Sequence, residues 1–290
     1  MSTTTCRDEP RRVPLATTKS TSPARANIEG WGAANNIPND IRPLVLLDSP
    51  QAESQMLSRH IEAKGRARGQ LSILEAGCGN SWSIDLRGVR YTLTGIDLNQ
   101  DALDIRKHKR GDLQEAVLGD LRTVRLEENR FDVIYNSFVL EHIENAEQVL
   151  DNFYRWLKPG GIILLRIPDA EAVYGFLSKV TPFWFHVFYK RYIAGIKTAG
   201  KPGYDPFPTV YDKIVSRHGI HRWCAAKGMT IREEAGWEYP VGRPGLVSLA
   251  VGAATKAMSL LSFGSLAADH VNLTFVIEKA DADTRPSPTS

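Results

Sequence analysis

Four short stretches of the chain place polar residues at spacings that suit ligand chemistry. The first is Ile73-Leu74-Glu75-Ala76-Gly77-Cys78-Gly79-Asn80. Its paired glycines let a backbone turn sharply and come close to a ligand. Glu75, just before them, can accept hydrogen bonds from a ligand ammonium group. The second is Thr94-Gly95-Ile96-Asp97-Leu98. Asp97 lies 20 positions after Gly77, the spacing of one βαβ unit, and an acidic residue there can accept from both hydroxyls of a ribose. The third, Gly119-Asp120-Leu121, offers a carboxylate for an adenine amino group and an apolar cover for the ring. The fourth runs from Phe131 to Ile143 and carries Asn136, Ser137 and His142 after an apolar run.

Two ligand classes use a glycine loop of the first kind: dinucleotides and S-adenosylmethionine (SAM). A dinucleotide site wants a third glycine five residues after the first, where pyrophosphate is cradled. Trp82 stands there instead. SAM has no phosphate and does not need that geometry, so Trp82 moves the reading toward SAM. Cys78 could be a nucleophile, but its place between two glycines fits close packing against a ligand better. Asn136 has a plain alternative as the cap of a following helix.

These residues need a scaffold that ends several strands side by side. Residues 71–76, 91–98, 116–118, 131–139 and 162–167 read as strands, and 101–109 and 145–157 as helices. Only 81–87 is left for a helix between the first two strands, so that helix must be short. Pro159-Gly160-Gly161 stops the helix before it and turns the chain. Strand and helix in alternation predict an α/β fold with a mainly parallel sheet, right-handed crossovers and ligands at the carboxyl ends of the strands. Beyond Pro168 the segment 211–227 reads as a helix and 229–238 as a strand. Residues 271–279 form a last strand whose alternation and charged end place it near a sheet edge. Residues 28–70 receive no element.

The composition suits that scaffold. The chain has 290 residues, 42% hydrophobic and 24% charged, with a net charge of only +3. That balance argues against general nucleic-acid binding, which shows a concentrated basic face. The cysteines are Cys6, Cys78 and Cys224. Their odd number and lack of a CxxC pair fit a reducing, cytosolic setting. No signal peptide is read at the N-terminus. Residues 1–27 and 281–290 are expected to be disordered tails around a domain spanning 28–280.

Residues 71–167 resemble the class I SAM-dependent methyltransferases, in particular the ubiquinone/menaquinone-methyltransferase-like group (methyltransferase type 11). The strings ILEAGCGN, GIDLN, GD with an apolar residue, FDVIYNSFVLEHI and LKPGGIILLRIP stand in that family's order and spacing. The resemblance implies a Rossmann-like fold, a seven-stranded mainly parallel sheet with helices on both faces, and SAM as cofactor. It implies that Glu75, Gly77, Cys78 and Gly79 line the methionine part of SAM. Asp97 would hold the ribose and Leu98 would pack on the adenine, with Asp120 and Leu121 on its other side. Asn136 and Ser137 would sit beside the donor methyl. Trp82 departs from the family's small-residue continuation. No metal site is expected.

Methyl transfer is an in-line displacement on a sulfonium carbon, so the protein has chiefly to align a nucleophile and exclude water, effects that can lower a barrier by roughly 7–11 kcal/mol. A base adds about 10²–10⁴-fold if the acceptor is a hydroxyl. His142 is the candidate by position; His186, His218 and His221 are weaker ones. The acceptor would be chosen by a cap insertion, 170–210, crowded with aromatics, and by a second insertion, 243–266. In the cap Val173, Phe176, Leu177 and Val180 follow helical spacing. Core packing, a lid over an apolar or lipid-linked small-molecule acceptor, and contact of Lys179, Lys190, Arg191, Lys197 and Lys201 with a membrane surface are the three readings of it. An exposed aromatic cap would also invite a homodimer. The competing functions are a non-catalytic SAM-binding or membrane-associated accessory protein and a nicotinamide-dependent oxidoreductase.

Overall fold

The computed structural model describes residues 43–82, 84–182, 209–210, 212–237 and 246–281, with single positions 184, 187, 191–192, 197–198 and 200. The leader, most of the C-terminal tail, His186 and most of the predicted cap aromatics lie outside the described residues.

The described strands are β1 (Val45–Leu47), β2 (Gln70–Ala76), β3 (Arg90–Asp97), β4 (Glu115–Leu118), β5 (Phe131–Ser137), β6 (Leu157–Pro168), β7 (Met229–Trp237) and β8 (Asn272–Lys279). They form one sheet in the order β1-β7-β8-β6-β5-β2-β3-β4. Only β8 runs against its neighbours; the other pairings are parallel. The α/β, mainly parallel reading therefore holds, with eight described strands in place of seven. The extra one is β1, a three-residue edge strand too short to leave a periodic trace.

Alternation in the strands decides which face each residue serves, because successive side chains point to opposite sides. In β2, Leu74 and Ala76 enter one buried cluster while Leu71 and Ile73 enter the other; in β5, Ile134 opposes Val133 and Tyr135. The first cluster is covered by α3 (Ala146–Trp156) and α5 (Arg217–Lys227), the second by α1 (Pro50–Arg68) and α2 (Gln100–Asp104). Helix α1, unassigned from sequence, has ordinary start and stop devices. The Ser49 side chain accepts from Ala52 N, Pro50 opens the helix and Gly69 closes it at φ 81. Its apolar stripe is thin, with Met56, Leu57 and Ile61 buried beside a buried Glu53.

Three expectations are corrected. The final strand is not at an edge: β8 lies between β7 and β6. Its charged end, Glu278 and Lys279, is held by partners rather than by water. Lys64 Nζ pairs with Glu278, and Lys279 Nζ donates to Tyr154 O at 2.8 Å and Leu157 O at 2.7 Å. No helix forms among the described residues of 81–87, which are irregular. Pro159-Gly160-Gly161 does not separate helix from strand. It lies inside β6 as a bulge that shifts the register from Phe131–Leu157 to Val133–Ile162, with Gly160 at φ 66.

The first predicted switch in pattern, at Pro168, is where the sheet hands over to the cap. Asp169 is buried there and lies 2.8 Å from His270 Nε2, while His270 Nδ1 lies 2.8 Å from Asp269. Both ring nitrogens can donate to carboxylates only in the imidazolium form. Burial opposes that charge, but the bonds to Asp169 and Asp269 prevail and hold the ring's pKa above its ordinary value. The stabilisation is full below the free-histidine pKa and is lost as pH rises through the raised one. His270→Gln is expected to cost on the order of 1–3 kcal/mol at about pH 6 and clearly less at about pH 9. Thermal melts across that range check it; a penalty that grows with pH contradicts it.

Candidate active site at the strand ends

The parallel strands β2, β3, β4 and β5 finish side by side, and the chain's order reverses between β2 and its neighbours β3 and β5. Crevices of this kind, outside the carboxyl ends at a switch point, are where open α/β sheets bind ligands. The structure brings Glu75, Gly77, Cys78, Gly79, Asp97, Leu98, Asn136 and Ser137 to that end.

The glycine loop turns through two left-handed residues, Gly77 at φ 74 and Gly79 at φ 52. A Cβ on Gly77 would lie 2.4 Å from Val139 Cγ2, so the Val139 side chain, just past β5, fills that space. A Cβ on Gly79 would meet nothing, which leaves the loop's outer surface open to a ligand. Asp97 secures the loop from β3. Its Oδ2 accepts from Gly79 N at 2.8 Å and its Oδ1 from Asn99 N at 2.9 Å. Leu98 beside it is 74% exposed, an apolar side chain at a strand end with no core role. Leu118, opposite Asp97 in the next strand, is exposed as well.

Glu75 is buried, and its partner is a residue that the sequence reading missed. Arg106, fully buried in a π-helical turn (Ile105–Arg110), reaches Glu75 Oε2 at 2.8 Å, Cys78 O at 2.8 Å and Asp112 Oδ1 at 2.9 Å. Burial pushes the Glu75 carboxyl up to about 7 against the pull of Arg106. Arg106 thus stands where a ligand ammonium was expected, and it ties the loop's carbonyl to the strand's carboxylate. The only signal in the sequence was an arginine on the helix after Asp97, and nothing in that helix's pattern marks it as inward. The π-helical geometry, which inserts an extra residue per turn, is what aims it.

Cys78 is buried, and burial pushes its thiol up to about 12. A thiol held protonated is a poor nucleophile, and the Cys78 side chain packs in the second core cluster. Trp82 packs edge-on to Tyr135 with ring centroids 5.7 Å apart.

Asp120 and Leu121 sit differently from expectation, and so does Asn136 from its alternative as a helix cap. Asp120 spends both oxygens on Arg122, through Nε at 3.0 and 3.1 Å and Nη2 at 2.6 Å. Arg122 holds its carboxyl below the usual range. Leu121 is buried in the core cluster with Ile96 and Phe153 rather than facing the crevice, and its carbonyl accepts from Asn152. Asn136 does not cap a helix. It is buried, donating from Nδ2 to Ala76 O at 2.9 Å, and its Oδ1 has no partner among the described residues.

After β5 the chain strains. Phe138 takes φ 55, a conformation rare for a bulky residue. Arg166 from β6 lies over its ring at 4.7 Å, donates to Ser137 Oγ at 3.1 Å, and is itself anchored by Glu53 of α1 at 2.6 Å. His142 ends the 3₁₀ turn Leu140–His142. Its Nε2 lies 3.9 Å from Glu141 Oε1, beyond a hydrogen bond. Glu141 is buried, which pushes its carboxyl up to about 8; its Oε2 has no partner among the described residues. His221, by contrast, is 2.7 Å from Glu234 Oε2 on β7, and His218 pairs with Glu171. Among the described residues no group of acidic, histidine and cysteine side chains is arranged to hold a metal.

In the cap, α4 (Val173–Val180) forms as its spacing predicts. Its apolar stripe is only half covered: Val173 is buried, while Phe176 and Val180 are exposed.

Comparison with known proteins adds the family. Residues 74–165 match the family model of the methyltransferase domain. The chain is 35% identical over 131 residues to the demethylmenaquinone methyltransferase of Oceanobacillus iheyensis, covering 42% of this chain and 52% of that one. It is 26% identical over 149 residues to the malonyl-[acyl-carrier protein] O-methyltransferase of Serratia marcescens, covering 50% and 56%. Among solved structures, a SAM-dependent methyltransferase from Archaeoglobus fulgidus superposes with a TM-score of 0.45 at 16% identity, over 80% of this chain and 95% of that one. The chain spans about half the length of the curated relatives it matches. Residues 74–165, whose glycine loop and strand ends form the crevice just described, match a methyltransferase domain.

Proposed function

We propose that the chain binds SAM across the ends of β2, β3, β4 and β5 and transfers its methyl group to an apolar or lipid-linked small molecule. The observation that carries this reading is the open loop at Gly79 closed on Asp97, with exposed Leu98 beside it. The crevice fits SAM in chemistry as well as place. Asp97 keeps lone pairs for a ribose, and Leu98 offers an apolar face for an adenine. Gly79 leaves room for the methionine part, and the unpartnered Asn136 Oδ1 offers a buried acceptor at the strand end. Glu75 acts through Arg106, shaping the loop rather than receiving the ligand. Asp120 steadies the loop after β4 through Arg122.

SAM brings an activated methyl on a sulfonium. The protein's part is to align an acceptor beyond Ser137 and to keep water out. His142 stands at the mouth of that region as the acceptor's proton acceptor.

The apolar acceptor draws support from relatives whose names specify a demethylmenaquinone and a malonyl-acyl-carrier protein, and from the exposed Phe176 and Val180 of the cap helix. Contact with a membrane surface follows the same reading; among the described residues no helix is long and apolar enough to cross one. Incubation with methyl-labelled SAM and a demethylated naphthoquinone is expected to carry label into the organic phase. Label confined to small water-soluble acceptors overturns the choice of acceptor, and no transfer to any acceptor class favours an accessory SAM-binding role.

A further inference from the structure

Helix α6 (Leu246–Leu261) ends in a turn whose amide N–H groups are bonded within it. Ser262 N donates to Met258 O, Phe263 N to Leu260 O and Gly264 N to Ser259 O. Three further bonds close it from the serines. The Ser259 hydroxyl donates to Leu266 O at 2.7 Å and the Ser262 hydroxyl to Ser259 O at 2.8 Å, while Leu266 N donates to Ser262 Oγ at 3.1 Å. The turn's N–H groups and two serine hydroxyls thus bond to one another's neighbours rather than to the outside.

What points outward is apolar. Leu260 is 78% exposed, Leu261 79% and Phe263 99%, the most exposed large hydrophobics among the described residues. Phe263 also takes φ 54, the left-handed position at a helix end that usually falls to glycine. In water this arrangement loses twice, once in backbone strain and once in exposed aromatic surface. No charged residue occurs from Ala257 to Ala268. The nearest charge on the helix is the exposed Lys256, one turn before Leu260 and on its face.

We propose that this turn inserts into the surface of an anionic lipid bilayer. Entry into hydrocarbon demands backbone groups that are already satisfied, and interfacial segments combine an apolar tip with flanking cations. The turn has its N–H groups bonded and one flanking cation, Lys256, with Asp269 on its far side held by His270, and the chain's net charge of +3 has the sign to be drawn to an anionic surface. Its placement is also apt. Val173 N donates to Ala267 O and Ala267 N to Glu171 O, which ties the returning chain to the segment just past the end of β6. The turn therefore springs from the sheet end that holds the crevice. Delivery of an apolar acceptor from the bilayer to that crevice is the consequence, and that consequence alone rests on the function proposed above.

Flotation of the full chain with phosphatidylcholine vesicles, with and without phosphatidylglycerol, tests it. Wild type is expected to float with the anionic vesicles. Leu260→Ser, Leu261→Ser and Phe263→Ser together are expected to weaken that binding at least about tenfold, and Lys256→Gln a few-fold. Melting temperature and SAM titration should be unchanged in these surface variants. A wild type that does not float, or a triple variant that floats equally well, overturns the proposal. So does a wild-type oligomer that the triple variant converts to monomer without any vesicle binding, which would assign the turn to a second copy of the chain. Flotation without SAM binding sinks the proposed function and leaves insertion standing.

Discussion

Arg106→Ala is expected to remove on the order of 3–5 kcal/mol of stability, because it leaves Glu75 as a buried, unpaired carboxylate. In a chain of this size that is a fall of about 10 °C in melting temperature. The guanidinium is fully buried and meets Glu75, Asp112 and the Cys78 carbonyl, so no water replaces it without rearranging the glycine loop. The penalty should depend on pH, and its sign follows from Glu75. Burial already raises that carboxyl to about 7, and Arg106 opposes the rise. Without Arg106 it rises further. At about pH 5 the carboxyl is neutral with or without its partner, and the variant loses less. Above pH 7 wild type keeps an ion pair that the variant lacks, and the gap is widest. Glu75→Gln added to Arg106→Met should recover much of the loss, since a buried pair replaced as a whole costs less than one broken. Melts of the single and double variants across pH check this. Equal penalties at all pH values, or a double variant worse than both singles, would show that Arg106 does not act through Glu75.

The same residues show what a sequence can and cannot reveal here. The strands carry continuous apolar runs because both faces of the sheet are covered, and such runs stand out. Glycine pairs and strand-end carboxylates are legible because their spacing is short and fixed by the βαβ unit. Arg106 is not, since an inward arginine on a charged, lysine-rich helix looks like its solvated neighbours until the π-helical turn aims it. Asp120 was legible as a strand-end carboxylate but not as a claimed one, because Arg122 beside it could equally have faced solvent. The place of β8 was misread for a related reason. Glu278 and Lys279 charge the strand's end as surface residues do, yet both are bound by partners more than 100 positions away. Helix α1 left a weak trace because its buried face includes Glu53, whose charge is met by Arg166 from β6. Long-range ion pairs thus hide positions that hydrophobic periodicity cannot find.

Asp97→Ala carries the larger functional effect. Each carboxylate oxygen spends one lone pair on a backbone N–H, from Gly79 and from Asn99, and keeps capacity for a ligand hydroxyl. Hydrogen bonds to a charged acceptor are worth about 1.5–3 kcal/mol each. Losing two of them lowers affinity by roughly 100-fold or more. Loosening Gly79 at the same time adds to the loss. The fold should survive, because Asp97 lies at a strand end rather than in the core. Asp97→Asn, which keeps one acceptor oxygen, should fall between the two.

Calorimetric titration of SAM and of NAD into wild type and Asp97→Ala therefore bears most directly on the crevice. Wild type is expected to take up one SAM saturably and no NAD, and Asp97→Ala, folded by its melt, to bind SAM at least about 100-fold more weakly. NAD binding in place of SAM, or SAM bound by Asp97→Ala as tightly as by wild type, would contradict a SAM site at the ends of β2 and β3.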